Sequence, residues 1–273
     1  MNLNINLMAE ADTIKENNLP VTKSRLKADL LKLGLEAGMT VIVHSSMKSL
    51  GWVCGKEVTV ADALMEVLTP EGTLIMPTHS GEYSDPAAWM NPGVPADWLE
   101  IIRAEMPAFR PEITPSRYVG ILPEAFRKYP GVLRSNHPCV SFAAWGKHAE
   151  LITTGHNLAY SLGKSSPLGR IYDLDGSVLM LGTGYDSNTS IHLGESLSGC
   201  RKKINCGAPL IESGNRIWKE YIDYEYDSDC FNTLGRDFED EYTVIKGNIG
   251  YAESKLIKQR ELVDFSRQWF KIG

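Results

Sequence analysis

Three apolar runs, each bounded by turn residues and ending in polar ones, punctuate the chain: Thr40-Val-Ile-Val-His-Ser-Ser46, Thr73-Leu-Ile-Met-Pro-Thr-His-Ser80 and Ser177-Val-Leu-Met-Leu-Gly182. Their hydrophobicity is continuous rather than alternating, which marks strands covered on both faces in a parallel sheet. Helical periodicity fills 23–35, 58–68, 122–129 and 148–153, with Gly131, Gly155 and Gly176 near the ends of elements. A final amphipathic helix is predicted over 251–270. Strands alternating with helices imply a three-layer α/β/α sandwich around a largely parallel central sheet. Between 83 and 115 the pattern breaks at Pro86, Pro92, Pro95, Pro107, Pro111 and Pro115, with a short helix predicted near 96–105. Long excursions of this kind in compact domains are usually functional, and here a lid or acceptor wall is expected on one domain spanning 1–273.

The third run leads into Gly-Thr-Gly-Tyr-Asp-Ser-Asn-Thr-Ser-Ile-His-Leu-Gly-Glu195, which reads as the start of a helix. In open α/β folds chemistry sits beyond the carboxyl ends of buried strands. Spacing of three places His192 and Glu195 on one helix face, an arrangement that suits a general base with its orienting carboxylate. His44-Ser45-Ser46 closes the first strand and Leu50-Gly-Trp-Val-Cys-Gly55 precedes the next helix. That order makes either a phosphate or pantetheine cradle or a plain structural turn. It matches neither a Walker A loop nor GxGxxG. His137, restrained by Pro138, either meets a ligand or anchors its turn. Ser165 or Ser166 is expected to cap a helix that has Pro167 at its first position.

Composition is that of an ordinary globular protein, with 43% hydrophobic and 23% charged residues in 273. No apolar run approaches the roughly 20 residues needed to cross a bilayer. Met1 to Glu16 lacks the basic and apolar regions of a secretory leader. Five cysteines without CxxC spacing point away from a disulfide framework or structural zinc and toward a reducing cytoplasm. A net charge of −6 argues against nucleic acid as a partner. Asp223, Glu225, Asp227, Asp229, Asp237, Glu239, Asp240 and Glu241 cluster against the single base Arg236. They form either a solvated acidic surface or one that steers a cationic ligand.

Five motifs in order carry a resemblance: Val43-His-Ser-Ser-Met-Lys-Ser-Leu-Gly-Trp-Val53, Gly72-Thr-Leu-Ile-Met-Pro-Thr78, Arg134-Ser-Asn-His-Pro-Cys-Val-Ser-Phe142, Ser166-Pro-Leu-Gly169, and Leu179-Met-Leu-Gly182 through Asn188-Thr-Ser-Ile-His-Leu-Gly-Glu195. From about 23 to 270 the chain resembles the aminoglycoside 3-N-acetyltransferase family, also called the antibiotic N-acetyltransferases. The resemblance implies a fold distinct from the GNAT acetyltransferases. It also implies acetyl transfer from acetyl-CoA to the 3-amino group of a 2-deoxystreptamine aminoglycoside, a role in antibiotic resistance, and no metal. It assigns His192 as the catalytic histidine and places CoA against His44, Ser45, Ser46, Lys48, Ser49, Leu50, Gly51, Val53, Ser141, Ser166 and Pro167. The acceptor, a small cationic amine, is expected near His137, Asn188, Asp227 and Asp229, and a homodimer is the oligomeric expectation.

An ammonium must lose a proton before it can attack a thioester, and histidine titrates in the right range. His192 is therefore expected to act as base, oriented by Glu195 or Asp186. Thr78 or a backbone N–H near Ser45 and Ser46 is expected to stabilise the oxyanion. Four alternatives accompany this reading: the same chemistry on a different small amine, a covalent route through Cys54, a metal-dependent hydrolase using His44, His79, His192 and Glu195, and a non-catalytic binding protein that retains the CoA pocket.

Overall fold

The computed structural model describes residues 13–15 and 17–272; most of the N-terminal stretch read above for a leader lies outside them. Among the described residues nine strands are formed: β1 (Thr40–Ser45), β2 (Thr73–Pro77), β3 (Leu133–Arg134), β4 (Phe142–Gly146), β5 (Ser177–Leu181), β6 (Lys203–Glu212), β7 (Asn215–Tyr224), β8 (Ile245–Ile249) and β9 (Ala252–Lys258). Seven of them make one sheet in the order β3-β4-β2-β1-β5-β9-β8. The central three, β2-β1-β5, are mutually parallel. β4 and β9 run against their neighbours, so five of the seven strands point the same way.

Alternation along the buried strands builds the two outer layers. Val41, Val43, Leu74, Met76, Leu179, Leu181 and Leu256 pack on one face against Leu26, Leu30 and Leu33, against Val60, Leu64 and Leu68, and against Leu122 and Phe126. These come from the helices Lys23–Leu33, Lys56–Leu68 and Ile121–Phe126. Ile42, Ile75, Val178, Met180 and Ile257 face the opposite way, onto Ile152, Leu168, Ile171, Ile191, Leu193, Phe231, Leu234, Leu262 and Val263. That second layer consists of the helices Ala149–Thr153, Pro167–Asp173, Ser190–Ser198, Phe231–Glu241 and Gln259–Ile272. Every core strand is covered twice, which is why its sequence reads as unbroken hydrophobicity. Each fully buried aliphatic side chain contributes about 1.5–3 kcal/mol relative to exposure.

Two elements depart from expectation. The amphipathic helix predicted from 251 begins only at Gln259, because 252–258 forms β9 on the open edge of β5. Its Ala252, Ser254 and Leu256 are buried while Glu253 is exposed, a period of two rather than 3.6. The segment 203–224 is a β-hairpin, β6–β7, whose two-residue turn has Ser213 and Gly214 at φ 51° and 80°. Both values are positive, as a type I′ turn requires.

The excursion between β2 and β3 contains three short 3-10 turns and the helix Leu99–Glu105. It packs on the hairpin: Phe109 N–H donates to Pro209 O (3.1 Å), and Arg216 donates to the carbonyls of Met106 (3.1 Å) and Arg103. The Ser190–Ser198 helix lies on the Gln259–Ile272 helix at unusually close range. A Cβ added at Gly194 would stand 2.5 Å from Ser266 Cβ and 2.9 Å from Val263 O. Gly194→Ala should therefore overpack this contact and cost about 1–3 kcal/mol, read as a lowered Tm in thermal unfolding. An unchanged Tm would show that the two helices can part without loss.

Candidate active site

β1 lies between β2 and β5, and the chain reverses its direction of sheet growth there. The helix Lys56–Leu68 leading from β1 to β2 covers one face, whereas Pro167–Asp173 leading into β5 covers the other. Such a switch point opens a crevice at the carboxyl ends of the strands. A cleft of about 540 Å³ occupies it, lined by His44 and Ser45 from β1, His79 beyond β2, Thr183 and Asp186 beyond β5, and His192, Tyr226 and Ser228. Tyr118, Val119 and Gly120, at the end of the proline-rich excursion, form one wall.

Within this cleft His192 Nδ1–H donates to Glu195 Oε2 at 2.6 Å. Glu195 is fully buried, and its other oxygen accepts from Arg201 Nε. The Asp227 N–H approaches that same oxygen at 3.4 Å. The ring of His192 rests against Tyr226 and Phe231, with centroids 5.2 and 4.7 Å away. With Nδ1 committed, Nε2 is the basic nitrogen. A held tautomer, a buried counter-charge and a packed ring are what a general base needs.

Glu195, not Asp186, is thus the partner of His192. Asp186 is exposed and lines the cleft separately. Among the expected CoA contacts, His44 and Ser45 line the main cleft. Ser49 lines an adjoining hollow of about 300 Å³ with Gly182, Tyr251, Glu253 and Lys255. Thr183 borders both spaces and joins them. Ser46 Oγ lies 2.9 Å from Ser49 Oγ, and Lys48 is exposed on the same turn.

Other expected residues turn out to hold the fold rather than the cleft. The side chains of Leu50 and Val53 belong to the core. Gly51 turns so tightly that an added Cβ would lie 2.3 Å from Asn17 Oδ1. Thr78 is fully buried, its hydroxyl taken by Arg134 Nε (3.1 Å) and Ser141 Oγ (3.2 Å), so neither Thr78 nor Ser141 lines the cleft. Ser166 caps its helix through Leu168 N–H with Pro167 at the first position, and both are buried. His137 anchors its turn: Nδ1 accepts from Cys139 and Val140 N–H (3.2 and 3.1 Å) while Nε2 meets Leu158 O at 3.2 Å. Asn188 is buried and accepts the Ser190 N–H at the start of the helix that carries His192. Asp227 and Asp229 are exposed beside the lining residue Ser228. Cys54 is exposed and does not line the cleft.

The acidic cluster divides. Asp223 is buried and accepts from Ser161 Oγ (2.5 Å). Asp237 accepts from Trp269 Nε1 (2.8 Å), and Glu239 joins Tyr185, Lys246 and Lys255. Asp227 and Asp229 flank the lining residue Ser228 without lining the cleft themselves. Among the described residues no group of three or more His, Cys, Asp and Glu is arranged to hold a metal ion. Arg201 and Thr183 were not singled out from the sequence. Arg201 lies six residues beyond Glu195, outside helical spacing, whereas Thr183 follows β5 directly and could have been read as a strand-end residue.

A cleft at the switch point of a non-GNAT α/β sheet, holding a His–Glu pair on one helix, defines the class: the chain belongs to the family described as aminoglycoside 3-N-acetyltransferase, whose model matches residues 42–271. It is an acyltransferase of that family. The SPbeta prophage-derived aminoglycoside N(3′)-acetyltransferase-like protein YokD of Bacillus subtilis is 46% identical over 258 residues, covering 94% of this chain and 95% of that one. Its crystal structure superposes with a TM-score of 0.92. Aminoglycoside N(3)-acetyltransferase IX of Micromonospora chalcea is 32% identical, covering 97% of this chain and 98% of its own. The structure of AAC-IIIb in binary complex with CoASH is 28% identical with a TM-score of 0.84, covering 93% of this chain and 97% of that chain. AAC-VIa bound to sisomicin is 27% identical with a TM-score of 0.83, covering 93% and 98%.

Burial keeps His44, His79, His137 and His156 neutral. It lowers His44 and His79 to about 3, with further lowering from the neighbouring His192, and His137 to about 4. His156 is pushed well below 6.5, first by burial and then by His137. Unfolded histidines take up protons near pH 6.5, so between that pH and about 3–4 the unfolded chain binds more protons than the folded one. Stability is therefore present above pH 6.5 and falls as pH falls through this window. Urea midpoints at pH 7, 6 and 5 should decrease in that order. Equal midpoints at pH 7 and 5 would contradict neutral, buried imidazoles.

Proposed function

We propose that the protein transfers the acetyl group of acetyl-CoA directly to the 3-amino group of a 2-deoxystreptamine aminoglycoside, with His192 as general base. The observation that carries this reading is the 2.6 Å contact from His192 Nδ1 to the buried Glu195 inside the cleft. The joined spaces fit an elongated donor: the hollow beside Ser49 and Lys255 leads past Thr183 to His192. The CoASH complex of AAC-IIIb and the sisomicin complex of AAC-VIa support acetyl-CoA and an aminoglycoside as the two substrates. Acetyl-CoA as donor puts the reaction in the cytoplasm.

The acceptor arrives as an ammonium and first releases one proton to solvent. The free amine then attacks the thioester carbon. As the C–N bond forms and the C–S bond breaks, His192 Nε2 takes the second proton and returns it to the CoA thiolate. Ammonium and acetyl-CoA thus give amide, CoASH and one proton. Glu195 stabilises the imidazolium while the proton is in transit, and Arg201 prevents that carboxylate from taking the proton itself. Asp186 in the cleft, with Asp227 and Asp229 at its mouth, supplies anionic partners for the acceptor's ammonium groups.

One observation favours a second reading, acetylation of a less highly charged amine: Asp186 is the single carboxylate among the cleft's lining residues. Thiol release from acetyl-CoA, measured against a panel of aminoglycosides and simple polyamines, separates the two. Turnover that needs a free 3-amine supports the aminoglycoside; turnover only with simple amines supports the other. His192→Ala should lower kcat by at least about 100-fold, as loss of a general base does, with CoA affinity little changed. Activity surviving within about tenfold would exclude His192 as the base. Glu195→Gln should also lower kcat, because a neutral amide cannot stabilise the imidazolium.

A further inference from the structure

Acyl transfer needs donors where the carbonyl oxygen becomes an oxyanion, and the residues expected to supply them are occupied. Thr78 is bound to Arg134 and Ser141, and the Ser46 N–H donates to Leu181 O at 2.9 Å. Three other cleft-lining groups have buried polar atoms without a partner: His44 Nε2, His79 Nε2 and Thr183 Oγ1. They come from the carboxyl ends of β1, β2 and β5, the three adjacent parallel strands. Strand parity puts His44 on the same sheet face as Ile42, and the ring of His79 packs edge-on to Phe142, also on that face, 5.4 Å between centroids. That is the face carrying the helix of His192.

We propose that His44, His79 and Thr183 form the receptor for the acyl oxygen of the donor, with their free N–H and O–H groups donating to it as the tetrahedral intermediate develops. The inference rests on the acetyl-transfer reading above. Buried polar atoms without partners are costly to maintain, and a ligand oxygen that completes them removes that cost. Fixed donors aimed at developing charge in a dry site are an effective form of transition-state stabilisation. Their neutrality matters, because His192 becomes positive in the same step. Charged donors nearby would oppose that protonation, whereas neutral imidazoles do not, and burial keeps both neutral throughout the physiological range. The second proton of the amine still goes to His192, and none is transferred to or from His44 or His79.

Two measurements test the receptor. His79→Phe keeps a ring against Phe142 and removes the donor; it should lower kcat by about 100-fold with little change in KM for acetyl-CoA. His79→Gln, which restores an N–H, should recover part of that loss at a similar Tm, a rescue that a merely structural role would not give. Thr183→Val should act in the same direction. Unchanged kcat in His79→Phe would overturn the proposal. The second measurement needs no acceptor: the isotope-edited carbonyl stretch of acetyl-CoA bound to the wild-type protein should fall below its value in water and return toward it in His79→Phe. Binding with an unshifted carbonyl would overturn the receptor while leaving acetyl transfer standing. Failure of acetyl-CoA to bind the wild-type protein would overturn both.

Discussion

The carboxylate of Glu195 is the point on which site and fold both hang. It is fully buried, and its oxygens are divided between His192 Nδ1 and Arg201 Nε, with the Asp227 N–H at the rim of its reach. These partners lie on three stretches of chain: the helix Ser190–Ser198, the turn leading into β6, and the segment leaving β7. One anion therefore sets the tautomer of His192 and draws the hairpin's two ends against the helix that carries it. A buried ion pair need not raise net stability, but a buried charge stripped of its partner is severely destabilising. Arg201 also gives the carboxylate a counter-charge that does not depend on protonation of His192.

A second cation beside this charge pair is held by neutral partners. Arg134 is half-buried and has no carboxylate on its guanidinium. It donates instead to Thr78 O (2.6 Å), Ser80 Oγ (3.0 Å), Pro111 O (3.1 Å) and Thr114 O, as well as to Thr78 and Ser141 hydroxyls. Burial lowers it to about 10, still well above neutrality. This node joins the end of β2, from which His79 hangs, to the proline-rich excursion that becomes the cleft wall. Using neutral carbonyls and hydroxyls as partners fixes that wall without placing a second anion beside the cleft. Among the described residues Asp186 is the only carboxylate that lines the cleft.

Much of this could be read from the residues. The apolar runs at 40–46, 73–80 and 177–182 are β1, β2 and β5, and continuous burial is the reason they were visible. His192 and Glu195 meet as helical spacing requires. β9 was hidden because Ala252 to Lys258 flows without a break into an amphipathic helix, and only the vacant edge of β5 turns it into a strand. The hairpin β6–β7 was obscured by a mixed polar pattern, although Ser213-Gly214 is a turn signal. His137, Thr78 and Ser141 looked chemical because polar groups at strand ends usually are. Here they satisfy one another and the backbone, which a linear sequence cannot display.

The same parity that builds the core also selects which polar strand-end residues face the cleft. Residues 42 and 75 point toward the second layer; 44 continues the first series within the β1–β5 ladder, and 79 continues the second just past the last ladder contact of β2. Thr78, one step out of phase with Ile75 and His79, turns instead into the Arg134 node. A one-residue shift in either strand would exchange the imidazole for its neighbour, because side chains alternate with a period of two. The choice between Thr78 and His79 as the residue presented to the cleft is therefore set by the register of β2 in the sheet. Chemical suitability of the side chains cannot decide it, since a threonine hydroxyl and a neutral imidazole are both competent donors. β1 on one side and β4 on the other hold β2 through pairings at Thr73, Leu74 and Ile75 and along Thr73–Pro77. The hydrophobic pattern of a buried strand and the placement of a polar group at the site are thus one constraint, met by the same run of residues.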